Sequence, residues 1–237
     1  MGNIAYACFC TDVIHEGHRN ILREAKKHGT VVAGVLSDRE MVRYNRFPSI
    51  SLEERIALLE AEPEVERVIV QDAIMYDAVI ASLRPDFVVH GDNWRGGPMS
   101  AIRENVLANL KKTGGKLIEV PYTWNPDVKK IDERVKERLV MPEFRRRRLR
   151  RLLEIVPIVK TIEVHDGLTG LLAEKTVVEH EGGLDQFDAL WISSLCDSTA
   201  KGKPDIELVD MSSRIRTIDD VMDVTTKPII LDADTGG

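Results

Sequence analysis

At 237 residues the chain is longer than one average domain and shorter than two large ones. Hydrophobic residues make up 43% of it and charged residues 30%, which is enough for a buried core, and no apolar run reaches the roughly 18 residues of a membrane-spanning helix. The net charge of −6 argues against broad nucleic-acid binding, and no basic patch followed by an apolar stretch marks a secretion signal at the amino terminus. Three cysteines (Cys8, Cys10 and Cys196) form an odd count without framework spacing, which predicts reduced thiols and a cytoplasmic setting. Cys8 and Cys10 fall two apart on one strand face with no further ligands nearby, so they read as small core residues.

In chain order, residues 4–10 form a short apolar run, read as a strand, and 15–28 a helix. A strand over 31–37 and a helix over 52–60 follow, then a strand over 67–70 and a helix over 73–83. Residues 86–90 read as a strand, 99–112 as a helix stopped by Gly114 and Gly115, and 116–120 as a further strand. Short strands separated by helices predict a parallel sheet covered on both faces, with ligands bound beyond the carboxyl ends of the strands. Residues 129–151 are highly charged and broken by Pro142; the basic run from 145 to 151 reads as the exposed side of a linking helix. Its flanks are acidic and no aromatic residues interleave for base stacking. Strands resume at 158–164, 189–193 and 229–231, each ending in polar residues, as at the active face of a parallel barrel. Three strands are fewer than the eight of a closed barrel, so the expectation is a barrel portion only. The predicted class is α/β: a Rossmann-like domain over 1–130, a charged helical linker over 131–154, and the first part of a (β/α) barrel over 155–237.

The chemistry concentrates at His15-Glu16-Gly17-His18. Two histidines three apart at a helix start share a face, and Gly17 between them lets a phosphate approach the backbone. Free amides and the helix dipole favour an anion there, and two imidazoles can donate hydrogen bonds to phosphate oxygens as charge builds in a transition state. The segment His90-Gly91-Asp92-Asn93-Trp94 also falls just after a strand, at the same edge of the sheet.

With Phe9 to Asp12, Glu54-Arg55 and Gly91-Asp92-Asn93-Trp94 added to the histidine segment, residues 5–122 resemble the cytidylyltransferase family. That family includes glycerol-3-phosphate and phosphonate cytidylyltransferases. The resemblance implies a catalytic set of His15, His18 and Arg55, with Arg55 facing a nucleotide or acceptor phosphate. It places Phe9, Cys10, Thr11, Gly17, Arg46, Gly91, Asp92, Trp94 and Thr123 around the nucleotide, Asp92 and Trp94 against the base or ribose. Two segments depart from the family pattern. A lysine that meets the triphosphate corresponds here to Asn45, between Arg43 and Arg46. The family's late hydroxyl-rich phosphate grip corresponds to the segment from Tyr122 to Val128, where Asp127 repels a triphosphate and Lys129 and Lys130 offer compensating charge. Each lost donor of this kind is worth about 3 kcal/mol of barrier.

The second region carries Glu163 to Leu168, Leu190 to Leu195, Asp205 and Leu231 to Gly236. On these segments, residues 155–237 resemble the start of phosphoenolpyruvate mutase, in the isocitrate-lyase superfamily. The resemblance implies that Trp191, Ser193 and Ser194 cradle a phosphoryl group, with Asp205 near the reacting atoms and Asp232 and Asp234 at Mg²⁺. Hard Mg²⁺ prefers carboxylate oxygens, which suits that assignment. In this order the two regions resemble the bifunctional cytidylyltransferase–phosphoenolpyruvate mutase proteins of phosphonate biosynthesis. The implied reaction joins CMP from CTP to a small phosphonate such as 2-hydroxyethylphosphonate and releases pyrophosphate, with Mg²⁺ as cofactor. The mutase portion, lacking later strands, is expected not to rearrange phosphoenolpyruvate by itself. The implied partners are CTP and a small-molecule phosphonate, with no nucleic acid and no membrane, in a homo-oligomer. The competing expectation is a catalytically degenerate nucleotide-binding module accompanying the mutase. An adenylyltransferase of the pantetheine type is disfavoured by the Gly-Asp-Asn-Trp segment.

Overall fold

Hydrophobic runs at the expected places build a five-stranded sheet in the first half of the chain. A computed structural model describes residues 2–44, 46–121, 130, 141–180 and 183–234. Strands β1 (Ile4–Phe9), β2 (Thr30–Leu36), β3 (Val65–Gln71), β4 (Phe87–Gly91) and β5 (Lys116–Val120) pair in the order β3-β2-β1-β4-β5. Every pairing is parallel. The helices are α1 (Glu16–His28), α2 (Asp38–Arg43), α3 (Leu52–Glu60), α4 (Asp77–Leu83) and α5 (Ser100–Thr113).

Alternation along β1 divides the core in two. Ala5, Ala7 and Phe9 pack with Leu22 and Ala25 of α1 and Leu59 of α3. Tyr6 points to the opposite face, among Val79 and Ile80 of α4 and Ile102, Val106 and Leu110 of α5. A strand buried on both faces needs an unbroken apolar run, which is why residues 4–10 lack the polar alternation of a half-exposed strand. Helix α5 stops at Gly114, whose φ of +84° only glycine adopts without strain.

β1 leads to β2 on one side while β4 flanks it on the other. The strand order therefore reverses between β1 and β4, and a crevice opens beyond their carboxyl ends at that reversal.

Two compact units divide the chain: residues 1–135 with 179–183, and residues 136–178 with 184–237. The second holds a three-stranded parallel sheet, β10-β9-β6, of β6 (Thr161–Glu163), β9 (Ala189–Ile192) and β10 (Ile229–Leu231). Its helices are α6 (Pro142–Ile155), α7 (Gly167–Lys175), α8 (Ser194–Ala200) and α9 (Met211–Val224), and its small core joins Val164, Ala173, Leu190, Ile192 and Val221. A separate two-stranded sheet pairs β7 (Val177–His180) with β8 (Gly183–Gln186).

The basic run of α6 is not wholly a solvated face. Arg145 donates to the carbonyls of Met222 and Thr225 at 2.8 Å, and Arg148 donates to that of Thr226. Spaced three apart, the two guanidiniums share one side of α6 and engage carbonyls at the end of α9 and just beyond it, groups a helix terminus leaves without helical partners. Loss of water pushes the Arg148 guanidinium down to about 10. Arg146, Arg147 and Arg150 are the exposed members of the run.

Candidate functional site

Helix α1 begins with an unusual cap. His15 takes the extended backbone of an N-cap residue, and its Nδ1 accepts the Gly17 amide at 3.1 Å. The His18 ring reaches back to the His15 amide at 3.4 Å, closing a reciprocal capping box built from two imidazoles. The rings stack with centroids 3.7 Å apart and planes 22° from parallel. Phe9, at the end of β1, meets His18 edge-on at 5.5 Å. An added Cβ on Gly17 would lie 2.9 Å from His15 Cε1, so the glycine is what lets the His15 ring fold over the helix start. Loss of water around His18, then the neighbouring His15 charge, push the His18 imidazole down to about 3. The His18 ring is therefore uncharged at neutral pH.

These residues form one wall of a cavity of about 260 Å³ at the β1–β4 reversal. Cys8, Phe9, Cys10 and Thr11 line it from β1 and the following loop, His15, Gly17, His18 and Ile21 from α1, and Tyr44 and Arg46 from beyond α2. Val89, His90, Gly91, Asn93, Met99, Val120 and Pro121 complete it from the β4 and β5 side. Arg46 is steered over the mouth by donating to the Cys10 carbonyl at 2.9 Å. Burial pushes the Cys8 thiol up to about 12 and raises Cys10 as well, so neither sulfur is a nucleophile. His90 lies flat on Trp94, centroids 3.7 Å apart and planes 8° from parallel, and its Nδ1 donates to the Gly91 carbonyl at 2.8 Å. The Trp94 indole is fully buried and donates to Glu119 Oε1 at 2.9 Å. Arg103 and Arg95 also bind Glu119, and their hydrogen bonds hold its carboxyl well below the usual range.

In the second unit, polar side chains gather past β9 and β10. Ser194 Oγ lies 3.2 Å from Asp232 Oδ2 and 3.4 Å from Asp205 Oδ2. Asp232 Oδ1 also accepts the Asp234 amide at 3.1 Å, while Asp234 pairs with Arg214 at 2.5 Å. Ser193 caps α8 by accepting the Cys196 amide, and Trp191 is 44% exposed on β9. Both Asp232 oxygens are thus engaged and Asp234 is neutralised. Among the described residues no three potential ligands converge, so this donor set as placed does not fit a bound Mg²⁺.

Residues 6–109 match the cytidylyltransferase-like family model. Residues 149–237 match the model of phosphoenolpyruvate phosphomutase. The Bifunctional protein HldE of Desulfatibacillum aliphaticivorans is 30% identical over 115 residues, covering 47% of this chain and 22% of that protein. The FAD synthase of Thermococcus sibiricus is 27% identical over 126 residues, 52% of this chain and 82% of that one. The ethanolamine-phosphate cytidylyltransferase of Arabidopsis thaliana is 34% identical over 90 residues, 35% of this chain and 21% of that one. The chain spans about a fifth of the length of the HldE and Arabidopsis relatives.

Within this cytidylyltransferase-like region, the cavity brings together His15, His18, Phe9, Cys10, Thr11, Gly17, Arg46 and Gly91 of the expected set. Arg55 is a correction. Its side chain is fully buried, donates to the Leu36 carbonyl at 2.6 Å, pairs with Asp38, and lies 3.9 Å from Asp12. It does not line the cavity: a guanidinium without solvent contact needs fixed acceptors, and these hold it beneath the β1–α1 loop. Trp94 likewise lies behind the cavity wall rather than in it, because its indole is drawn to Glu119, and Asp92 does not line it either. The Gly17 amide, expected to meet phosphate, is occupied by His15. Asn45, Thr123 and the rest of the 122–129 segment lie outside the described residues. His90, Tyr44, Asn93 and Met99 also line the cavity, although the family resemblance assigned them no role. For His90 a signal existed, since it stands immediately before Gly91 at the carboxyl end of β4, the edge where ligands bind in such sheets. No helix among the described residues is long and apolar enough to cross a membrane.

Proposed function

We propose that the first unit transfers a cytidylyl group from CTP to the phosphonate or phosphate oxygen of a small acceptor, such as 2-hydroxyethylphosphonate. The acceptor oxygen forms a bond to the α-phosphorus, the bond from that phosphorus to the bridging oxygen breaks, and pyrophosphate leaves. The observation that carries this reading is the stacked His15–His18 pair at the start of α1, facing a cavity at the sheet's switch point. Charge grows on the phosphate oxygens during displacement, and preoriented donors there are worth about 100- to 1,000-fold each. Arg46 adds the positive charge at the mouth, and because each ring's Nδ1 already accepts a capping amide, Nε2 is the nitrogen that donates to phosphate. No carboxylate lines the cavity among the described residues, so Mg²⁺ belongs here to the incoming triphosphate rather than to protein ligands. The match of the second half to the phosphoenolpyruvate phosphomutase model supports a phosphonate as acceptor, because that reaction class makes carbon–phosphorus bonds. Reduced thiols accord with a cytosolic setting.

The test is pyrophosphate release from CTP and Mg²⁺, with and without a panel of small phosphonates and phosphates, beside a His18→Ala control. Acceptor-dependent release abolished by the control is expected. CTP binding without release under any acceptor would leave the domain a nucleotide-binding module, a reading that the withdrawal of Arg55 from the cavity favours.

A further inference from the structure

The β4 side of the cavity carries chemistry that phosphate binding does not use. Carbonyl oxygens only accept, so the 2.8 Å contact of His90 Nδ1 with the Gly91 carbonyl places the ring proton on Nδ1. Nε2 is then a bare lone pair, and among the described residues nothing donates to it. Loss of water lowers the His90 imidazole further from protonation, which keeps that lone pair available. One ring face is covered by Trp94 at 3.7 Å, and Trp94 is itself fixed by Glu119, so the imidazole plane is held rigidly while the residue still lines the cavity. The neighbouring walls, Ile21, Val89 and Val120, are apolar and suit a flat ring.

We propose that His90 is the residue that reads the nucleobase: a base lies edge-on to the imidazole that Trp94 backs, and His90 Nε2 accepts an in-plane hydrogen bond from its exocyclic amino group. This rests on the nucleotide reading above and deepens it. Cytosine has an amino donor where uracil has a carbonyl, and a carbonyl facing the Nε2 lone pair would be two acceptors in contact. A site built around a hydrogen-bond partner rejects the analogue lacking it more strongly than an apolar pocket does.

The experiment measures binding of CTP and UTP by calorimetry to the full chain, to His90→Phe, and to His18→Ala. The wild type is expected to favour CTP by at least about tenfold. His90→Phe keeps a ring on Trp94 but has no acceptor, so its CTP-to-UTP ratio should fall toward unity. His18→Ala should weaken both nucleotides and leave the ratio unchanged. Ring-nitrogen NMR of the unsubstituted protein gives an independent readout: CTP, and not UTP, should shift His90 Nε2. A His90→Phe chain that retains the wild-type ratio, equal wild-type affinities, or an Nε2 signal indifferent to CTP overturns the assignment while the cytidylyl reading stands. A wild-type chain that binds neither nucleotide overturns both.

Discussion

Replacing Gly17 by alanine separates the histidine cap as structure from the histidine pair as chemistry. The new methyl group would lie 2.9 Å from His15 Cε1 and 3.1 Å from Nδ1. Carbon atoms rest about 3.5–4.0 Å apart, so the imidazole must withdraw by about 0.6 Å or more. The ring is the end of a flexible side chain, so it turns away rather than distorting the helix. Its bond to the residue 17 amide, already 3.1 Å, is lost, and the 3.7 Å stack on His18 opens. Loss of a cap costs about 1 kcal/mol, and alanine in place of glycine returns up to about 1 kcal/mol of helix propensity. Stability to urea should therefore change by less than about 1 kcal/mol. Pyrophosphate release from CTP should fall by about 100- to 1,000-fold, the worth of one displaced donor. A Gly17→Ala chain with undiminished release would refute the placement of His15 in the reaction. Severe unfolding instead would show that the cap, and not the chemistry, requires the glycine.

Arg55→Met removes the buried charge that neutralises Asp38 and faces Asp12, and leaves two partly buried carboxylates behind; destabilisation of about 3 kcal/mol in urea unfolding is expected. An unchanged unfolding midpoint with lost activity would instead restore Arg55 to the reaction. Acid should weaken the first unit in two overlapping ranges. The His18 ring is held down to about 3 against an ordinary 6.5, so the unfolded chain takes up a proton that the folded one refuses, and stability declines as pH falls from 6.5 toward 3. Glu119 is held below its ordinary 4.5, so its contribution is present above that value and is lost as pH falls further. Urea midpoints between pH 7 and 5 should slope with pH in the wild type and flatten in His18→Asn; an equal slope in both would refute the assignment. In the second unit, Arg148→Ala should cost about 1–3 kcal/mol by releasing the Thr226 carbonyl, whereas exposed Arg147→Ala should stay within about 0.5 kcal/mol. Equal effects of the two would mean that α6 is a solvated linker after all.

Local signals carried much of the first unit. The helix over Leu52–Glu60 and the strand over Lys116–Val120 stand at the residues where periodicity put them, and Gly114 ends α5 as its position implied. Helix α4 is shorter than its pattern: residues 73–76 form irregular chain, with the Tyr76 amide bound by Asn105 of α5, a partner distant in sequence. Helix α2 was not anticipated, and neither were α7 to α9 in the second unit. Helices of seven to nine residues, such as α7 and α8, give too few turns for a period to show.

Sequence by itself determined where the candidate site would gather. A parallel α/β order puts loop residues at the carboxyl edge of the sheet, so two histidines and a glycine directly after β1 had to face a crevice there. It could not determine which polar residues turn toward that crevice. Arg55 and Trp94 carry the same side chains whether they hold a nucleotide or the protein. Asp38, the Leu36 carbonyl and Glu119 decided the matter, and all three come from other elements of the fold. Arg145 and Arg148 are the counterpart in the second unit: a run of like charges reads as solvated until carbonyls 77 and 78 residues away along the chain are brought within hydrogen-bond reach. A buried charge or indole goes where its hydrogen bonds can be satisfied, and only the tertiary structure supplies those partners.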